Sequence, residues 1–142
     1  MKINTDKFIG IPHVFNGDTY ESCDCIGLAR LFYAEHNWTQ DFKDGQEITK
    51  DWQNKDRGRL FRYLKRNFVE TRDAHSLTYG DIAVYNIDGD YHIGIYLEYG
   101  KVLAMQVPCK EHYTTSTIYR EQYWKPYFVR GYRRESHRNT TD

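Results

Sequence analysis

The stretch Asp24-Cys25-Ile26-Gly27-Leu28 opens a segment with the periodicity of an amphipathic helix. Apolar residues recur there at positions i, i+3, i+4 and i+7, which places on one helical face Cys25, Leu28, Ala29 and Phe32. Aspartate suits the N-cap position, because its side chain accepts hydrogen bonds from the free N–H groups of a first turn. The pattern therefore predicts a helix that is capped by Asp24, begins at Cys25 and ends near His36.

A second stretch has the composition of a β-hairpin that carries a histidine. Gly80-Asp81-Ile82-Ala83-Val84-Tyr85 leads through Asn86 to Asp90, with its Asp-Gly turn signal, to Tyr91-His92-Ile93-Gly94-Ile95-Tyr96-Leu97. A thiol at a helix start and an imidazole on a strand form the pair that a cysteine nucleophile needs. Because a helix N-terminus and an imidazolium both stabilise a thiolate, we expect a lowered pKa for Cys25. The alternative is that Cys25 is an inert core residue, since cysteines are often buried.

In this order the motifs resemble those of the NlpC/P60 superfamily of papain-like cysteine peptidases, many of which cut peptidoglycan stem peptides. The family pattern is Asp-Cys-Ser/x-Gly-Leu, then Gly-Asp-Leu-Val-Phe-Phe, then His-Val-Gly-Ile-Tyr-Leu. It is matched by Asp24 to Leu28, Gly80 to Tyr85 and His92 to Leu97. The segment Phe8 to Gly17 is similar to the family's lead-in, and the first 35 residues look most like the phage-tail branch. The resemblance ends at Gln106.

The resemblance implies a cysteine hydrolase that cleaves an amide bond in bacterial peptidoglycan stem peptides, as a phage tail-associated protein that contacts other tail proteins. Cys25 would attack the carbonyl, and His92 would take the proton and return it. The Cys25 backbone N–H would meet the oxyanion with help from His13, which stands where the family usually has a tyrosine. Asp24 belongs to the same oxyanion and substrate region. We expect no cofactor and no metal.

A departure from the family concerns the residue that orients the catalytic histidine. The family commonly has a histidine where this chain has Ala104, and an unoriented imidazole can present the wrong tautomer. A second hypothesis therefore stays open, in which the chain is a catalytically impaired NlpC/P60-fold structural or assembly protein of a phage tail. A third is that the same pair acts on another acyl substrate.

Hairpin geometry suggests a replacement for the missing histidine. If Glu98-Tyr99-Gly100 is a three-residue loop with Gly100 in the left-handed conformation, Leu97 pairs with Lys101. The pairs that then follow along the strands are Ile95 with Leu103, Gly94 with Ala104, Ile93 with Met105 and His92 with Gln106. We therefore predict that Gln106 accepts a hydrogen bond from His92 and orients it. A two-residue turn would instead place Gln106 beside Ile93.

Composition fits one domain without an obvious polyanionic partner. The chain has 142 residues, and its 20 basic and 20 acidic residues cancel, which gives no electrostatic case for nucleic acid or an anionic membrane. Three cysteines cannot all pair internally, so we expect synthesis in a reducing compartment. No apolar run precedes Phe8, and we expect synthesis in the cytoplasm without a signal peptide. A location in a virion tail follows from the resemblance alone.

We expect an α+β fold in which N-terminal helices pack on an antiparallel β-meander, the papain-like NlpC/P60 arrangement. Residues 1–135 would form this single domain, and residues 136–142 a polar C-terminal tail. A short helix is predicted at 5–10, a loop at 11–23 and a second long helix from Asp51 to Asn67. Predicted strands cover residues 82–87, 91–97, 101–107 and 126–133. The active site would lie between the first helix and the sheet.

Overall fold

The computed structural model describes residues 4–45, 49, 51–105 and 115–134. Its helices within these ranges are a 3₁₀ turn at Thr5–Phe8, α1 (Cys25–Glu35), α2 (Trp52–Lys55), α3 (Arg59–Asn67), a 3₁₀ turn at Ala74–Ser76, α4 (Glu121–Trp124) and a 3₁₀ turn at Lys125–Tyr127. Its strands are β1 (Phe68–Thr71), β2 (Ile82–Ile87), β3 (Asp90–Tyr96), β4 (Lys101–Met105), β5 (Ser116–Arg120) and β6 (Phe128–Arg134).

The strands form one six-stranded sheet in the order β1-β6-β2-β3-β4-β5, and every neighbouring pair is antiparallel. The predicted α+β class is confirmed. The sequence did not predict the edge strands β1 and β5, which contribute short segments of mixed burial. Within the described residues, none of the helices has the length and apolar composition of a membrane span.

The predicted helix from Asp51 to Asn67 is wrong, because the chain forms two helices there. Asp56 leaves the helical conformation with φ −147° and ψ 72°, and Gly58 stands at the N-cap of α3. The apolar spacing that suggested one long helix belongs to α3 alone, where Leu60 and Leu64 are buried.

The predicted register of the β3–β4 hairpin is confirmed over the described pairs. The Leu97 N–H donates to the Lys101 carbonyl oxygen at 2.8 Å, which closes the three-residue loop. Gly94 pairs with Ala104, and the predicted left-handed Gly100 has φ 69°. Gln106 lies outside the described residues, so its pairing with His92 stays a prediction.

The two faces of the sheet are covered differently. Helix α1 packs on the face that carries Ile93 and Ile95, and the shared core includes Leu28, Phe32 and Tyr33. The opposite face forms a second cluster with Ala83, Tyr85, Val102, Ala104 and Trp124. Because side chains alternate along a strand, His92 leaves β3 on the side of Tyr85, its cross-strand partner.

The N-terminus of α1 is clamped by the loop that precedes it. The Asp24 carboxylate accepts the Gly27 N–H through Oδ1 and the Asn16 N–H through Oδ2, both at 2.7 Å. The Asp24 N–H donates to the Gly17 carbonyl oxygen at 3.1 Å. Gly27 lies so close to Gly17 that a Cβ on Gly27 would overlap the Gly17 carbonyl oxygen. The residue lacks a side chain because two backbone segments touch there.

Gly27→Ala should destabilise the protein even though alanine favours helices. The added methyl group must displace the Gly17 backbone, and we expect a loss of about 3 kcal/mol in the free energy of unfolding, measured by urea denaturation. Gly58→Ala is the matched control, because a Cβ there meets only the flexible end of Arg62. It should change stability by no more than about 0.5 kcal/mol. Equal effects of the two variants would contradict the clamp.

Candidate active site

Cys25 is the first residue of α1, with Asp24 as its N-cap, as the sequence predicted. The residue is partly buried against the core beneath α1. Its sulfur takes backbone hydrogen bonds from Ile26, in its own helix, and from Ile93 in β3. The thiol therefore meets the strand one residue after His92.

The expected lowering of the Cys25 pKa is wrong for this structure. Burial of the thiol, followed by the negative charge of Asp24, raises its pKa to about 12, and the hydrogen bonds from Ile93 and Ile26 oppose this only in part. Cys25 is therefore a protonated thiol at neutral pH. A base must remove its proton before or during any attack on a carbonyl.

His92 is the candidate for such a base. Its burial lowers the pKa of the imidazole, the Asp90 carboxylate raises it, and His13 lowers it. The first effect is the largest, so the ring is neutral at pH 7 and has a nitrogen able to accept a proton. The structure records no hydrogen bond between Cys25 and His92. In proteins without bound substrate, catalytic hydrogen bonds are often long or poorly aligned and tighten when the substrate binds.

His13 joins the site through the loop before α1. It forms a parallel bridge with Cys23, and the Cys23 N–H donates to the Pro12 carbonyl oxygen at 2.9 Å. This pairing holds the exposed His13 beside Cys23, which lies two residues before the start of α1. His13 is also close enough to His92 to lower the pKa of that ring. His13 thus affects the charge of His92, and its predicted contact with an oxyanion stays a prediction.

In the structure, Asp24 stabilises the junction between the loop and α1. Both of its carboxylate oxygens accept backbone N–H groups, so they hold the loop and the helix together. Its predicted part in the oxyanion and substrate region stays a prediction.

Ala104 is buried, with 1% of its surface exposed, and faces Gly94 on the His92 side of the sheet. Position 104 therefore offers His92 no polar side chain, and Gln106, the predicted orienting residue, lies outside the described residues.

Asp90 is a functional candidate that the sequence analysis missed. It lies on β3 two residues before His92 and thus on the same face of the strand, and its charge favours the imidazolium. The i, i+2 spacing of Asp90 and His92 was a signal in the sequence, but the neighbouring Asp-Gly pair led us to interpret Asp90 as part of a hairpin turn.

Among the described residues, no group of three His, Cys, Asp or Glu side chains could hold a metal ion.

Comparisons with known proteins find one family model and several similar folds. The model of the NlpC/P60 family matches residues 10–133. No curated protein matches the chain. The NlpC/p60 domain of peptidoglycan hydrolase SagA is similar in structure, with a TM-score of 0.59, 18% identity and 89% of each chain covered.

Two further solved structures resemble the chain. NlpC1 from Trichomonas vaginalis has a TM-score of 0.58 and 20% identity, over 92% of this chain and 41% of that protein. A Staphylococcus aureus subsp. aureus Mu50 protein, described as similar to lipoprotein of the NLP/P60 family, has a TM-score of 0.52 and 19% identity, over 89% of this chain and 37% of that one. The chain thus spans less than half of these two proteins. Identities this low support a shared fold alone.

Asp24→Asn should lower the pKa of Cys25, because the amide oxygen can still accept the Gly27 N–H but carries no charge. The variant loses the acceptor for the Asn16 N–H. We expect iodoacetamide to alkylate the variant at pH 7 roughly threefold faster than wild type. Peptide mass spectrometry would separate Cys25 from the other cysteines. The wild-type rate should rise from neutral to alkaline pH without a plateau.

Asp18→Asn is the matched control for this experiment. The Asp18 charge acts on Cys23 and is not among the groups that shift the pKa of Cys25. Cys25 in the Asp18→Asn variant should be alkylated at the same rate as Cys25 in wild type. A slower or unchanged rate in Asp24→Asn would contradict the electrostatic role given to Asp24.

Proposed function

The chain belongs to the NlpC/P60 family, and we propose that it is a cysteine hydrolase that cleaves an amide bond in the stem peptides of bacterial peptidoglycan. The observation that carries the proposal is the position of the Cys25 thiol, which begins α1 and is hydrogen-bonded to the backbone of Ile93, next to His92. The similarity in fold to a domain of SagA, a peptidoglycan hydrolase, supports this substrate class.

Proton transfer accompanies nucleophilic attack in this proposal. The thiol and the imidazole are both neutral at pH 7, so His92 accepts the Cys25 proton as the sulfur attacks the carbonyl carbon. The backbone N–H at the start of α1 faces the developing oxyanion, with His13 as a second donor. His92 then returns the proton to the leaving amine, and water hydrolyses the thioester.

Two groups near His92 have opposite effects on its protonation. Asp90 favours the imidazolium that forms during attack, and His13 disfavours it. We also propose that Gln106, two residues beyond Ala104, is a neutral hydrogen-bond acceptor for the second ring nitrogen of His92.

We also propose that the protein works in a phage tail, which rests on the likeness of its first 35 residues to the phage-tail branch.

A structural or assembly role in a phage tail is the second candidate. Two observations favour it: position 104 is a buried alanine, and the pKa of the Cys25 thiol is raised. Both would be expected in a domain that keeps the fold after its chemistry has been lost. Fold alone does not separate these functions.

Purified sacculi are the first substrate to test. Wild-type protein should release muropeptides whose masses identify the bond cut, and Cys25→Ser should release none, with little change in melting temperature. If wild type and Cys25→Ser are equally inert while the folded protein binds other tail components, the assembly role is correct and the hydrolase proposal fails.

The pH dependence of kcat/KM tests the assignment of the base. Activity should fall as pH drops through the pKa of His92, because only the neutral ring accepts a proton. Asp90→Asn removes a charge that raises this pKa, so the acid limb should move to lower pH. His13→Tyr removes a group that lowers it, so the limb should move to higher pH.

Asp88→Asn is the control for the charge change in the same hairpin. Asp88 has φ 53°, a conformation that asparagine tolerates, and it is not among the groups that shift the pKa of His92. Its profile should match wild type. Shifts of Asp90→Asn and His13→Tyr in the same direction would show that His92 is not the titrating base.

A further inference from the structure

We propose that the β3–β4 hairpin loop and the start of α4 form a binding site for an anionic sugar polymer, with Lys101, Arg120 and Lys125 holding the anion and Tyr99 contacting a sugar ring. The choice of a cell-wall polymer as ligand rests on the proposed function. The chemistry of the site does not, since it lies at the end of β3 away from Cys25.

The site is an open cavity of about 450 Å³. Its lining includes Tyr99, Lys101, Arg120, Glu121, Gln122 and Lys125. The loop and α4 are joined there by a hydrogen bond of 2.7 Å from the Glu121 N–H to the Gly100 carbonyl oxygen. A volume of this size suits a small part of a polymer, such as one or two sugar units with an attached anion.

The lining of this cavity has three cations, Lys101, Arg120 and Lys125, and one carboxylate, Glu121. Lys101 pairs directly with Arg120 across β4 and β5, and like charges in that position are unfavourable. None of the ion pairs between described residues involves Lys101, Arg120 or Lys125. Glu121, the carboxylate in the lining, accepts the Tyr96 hydroxyl at 2.8 Å through Oε1. The cavity therefore keeps an excess of positive charge that a bound phosphate or carboxylate would neutralise.

Tyr99 supplies an observation independent of charge. Its side chain is 90% exposed, and its backbone has φ 60°, a left-handed conformation that glycine or asparagine adopts at lower energy. A bulky aromatic residue here is strained and gains little from packing. Its ring does, however, offer a flat apolar face at the edge of the cationic cavity. A sugar ring stacked on that face would place its anion among the three cations.

Binding to sacculi in a Cys25→Ser background tests the proposal without cleavage. The triple variant Lys101→Ala, Arg120→Ala and Lys125→Ala should sediment with sacculi about tenfold more weakly than its parent. Added salt should weaken the binding of the parent, because exposed charges are screened. The matched control removes three exposed cations elsewhere, in Lys65→Ala, Arg66→Ala and Arg72→Ala. The proposal is overturned if the two triple variants bind equally.

Two further measurements define the ligand and the role of the ring. Cold hydrofluoric acid strips phosphodiester-linked polymers from the sacculi. If this treatment abolishes binding, the anion is a phosphate. If binding persists and still needs the three cations, the anion is a peptidoglycan carboxylate.

Tyr99→Asn should raise the melting temperature and weaken binding, whereas unchanged binding would overturn the role of the ring. Cleavage of soluble stem peptides by the triple variant with Cys25 intact should equal wild type, so failure of this site and failure of the hydrolase are distinguishable.

Discussion

The contact between the Asp24 carboxylate and two backbone N–H groups is the interaction on which the candidate site depends. One oxygen caps α1 through Gly27, and the other holds the preceding loop through Asn16. The same junction sets where Cys25 begins the helix and, through the bridge of His13 to Cys23, where His13 lies. The missing side chain of Gly27 permits this close approach. The site is thus built from a helix end and the loop that turns back onto it.

This construction has an electrostatic consequence for the nucleophile. The charge that caps the helix also lies next to the thiol and, together with burial, opposes its ionisation. A capped helix N-terminus alone would favour the thiolate, but the aspartate that caps it cancels part of that benefit. The proposed chemistry then depends on a neutral His92, whose pKa is lowered mainly by burial, while Asp90 raises it and His13 lowers it further.

The β3–β4 hairpin connects the two regions of interest. Its start carries His92 and the backbone that contacts Cys25, and its loop carries Tyr99 beside the cationic cavity. Between them the second core is tightly packed, because a Cβ on Gly94 would meet Val102 and Tyr85. Ala104, opposite Gly94, fits this crowded face. Close packing is one physical reason why a larger residue is absent from position 104.

The sequence by itself determined the features that depend on neighbouring residues. Helical spacing and an N-cap aspartate located α1, and the turn residues around Gly100 with apolar matching gave the register of β3 and β4. The order of the three motifs was enough to indicate the family. Tertiary structure alone decided the edge strands β1 and β5, whose short segments gain their partners only when the sheet assembles. It also decided the raised pKa of Cys25 and the effects of Asp90 and His13 on His92. Those depend on burial and on charges brought together by the whole fold, which local patterns do not encode.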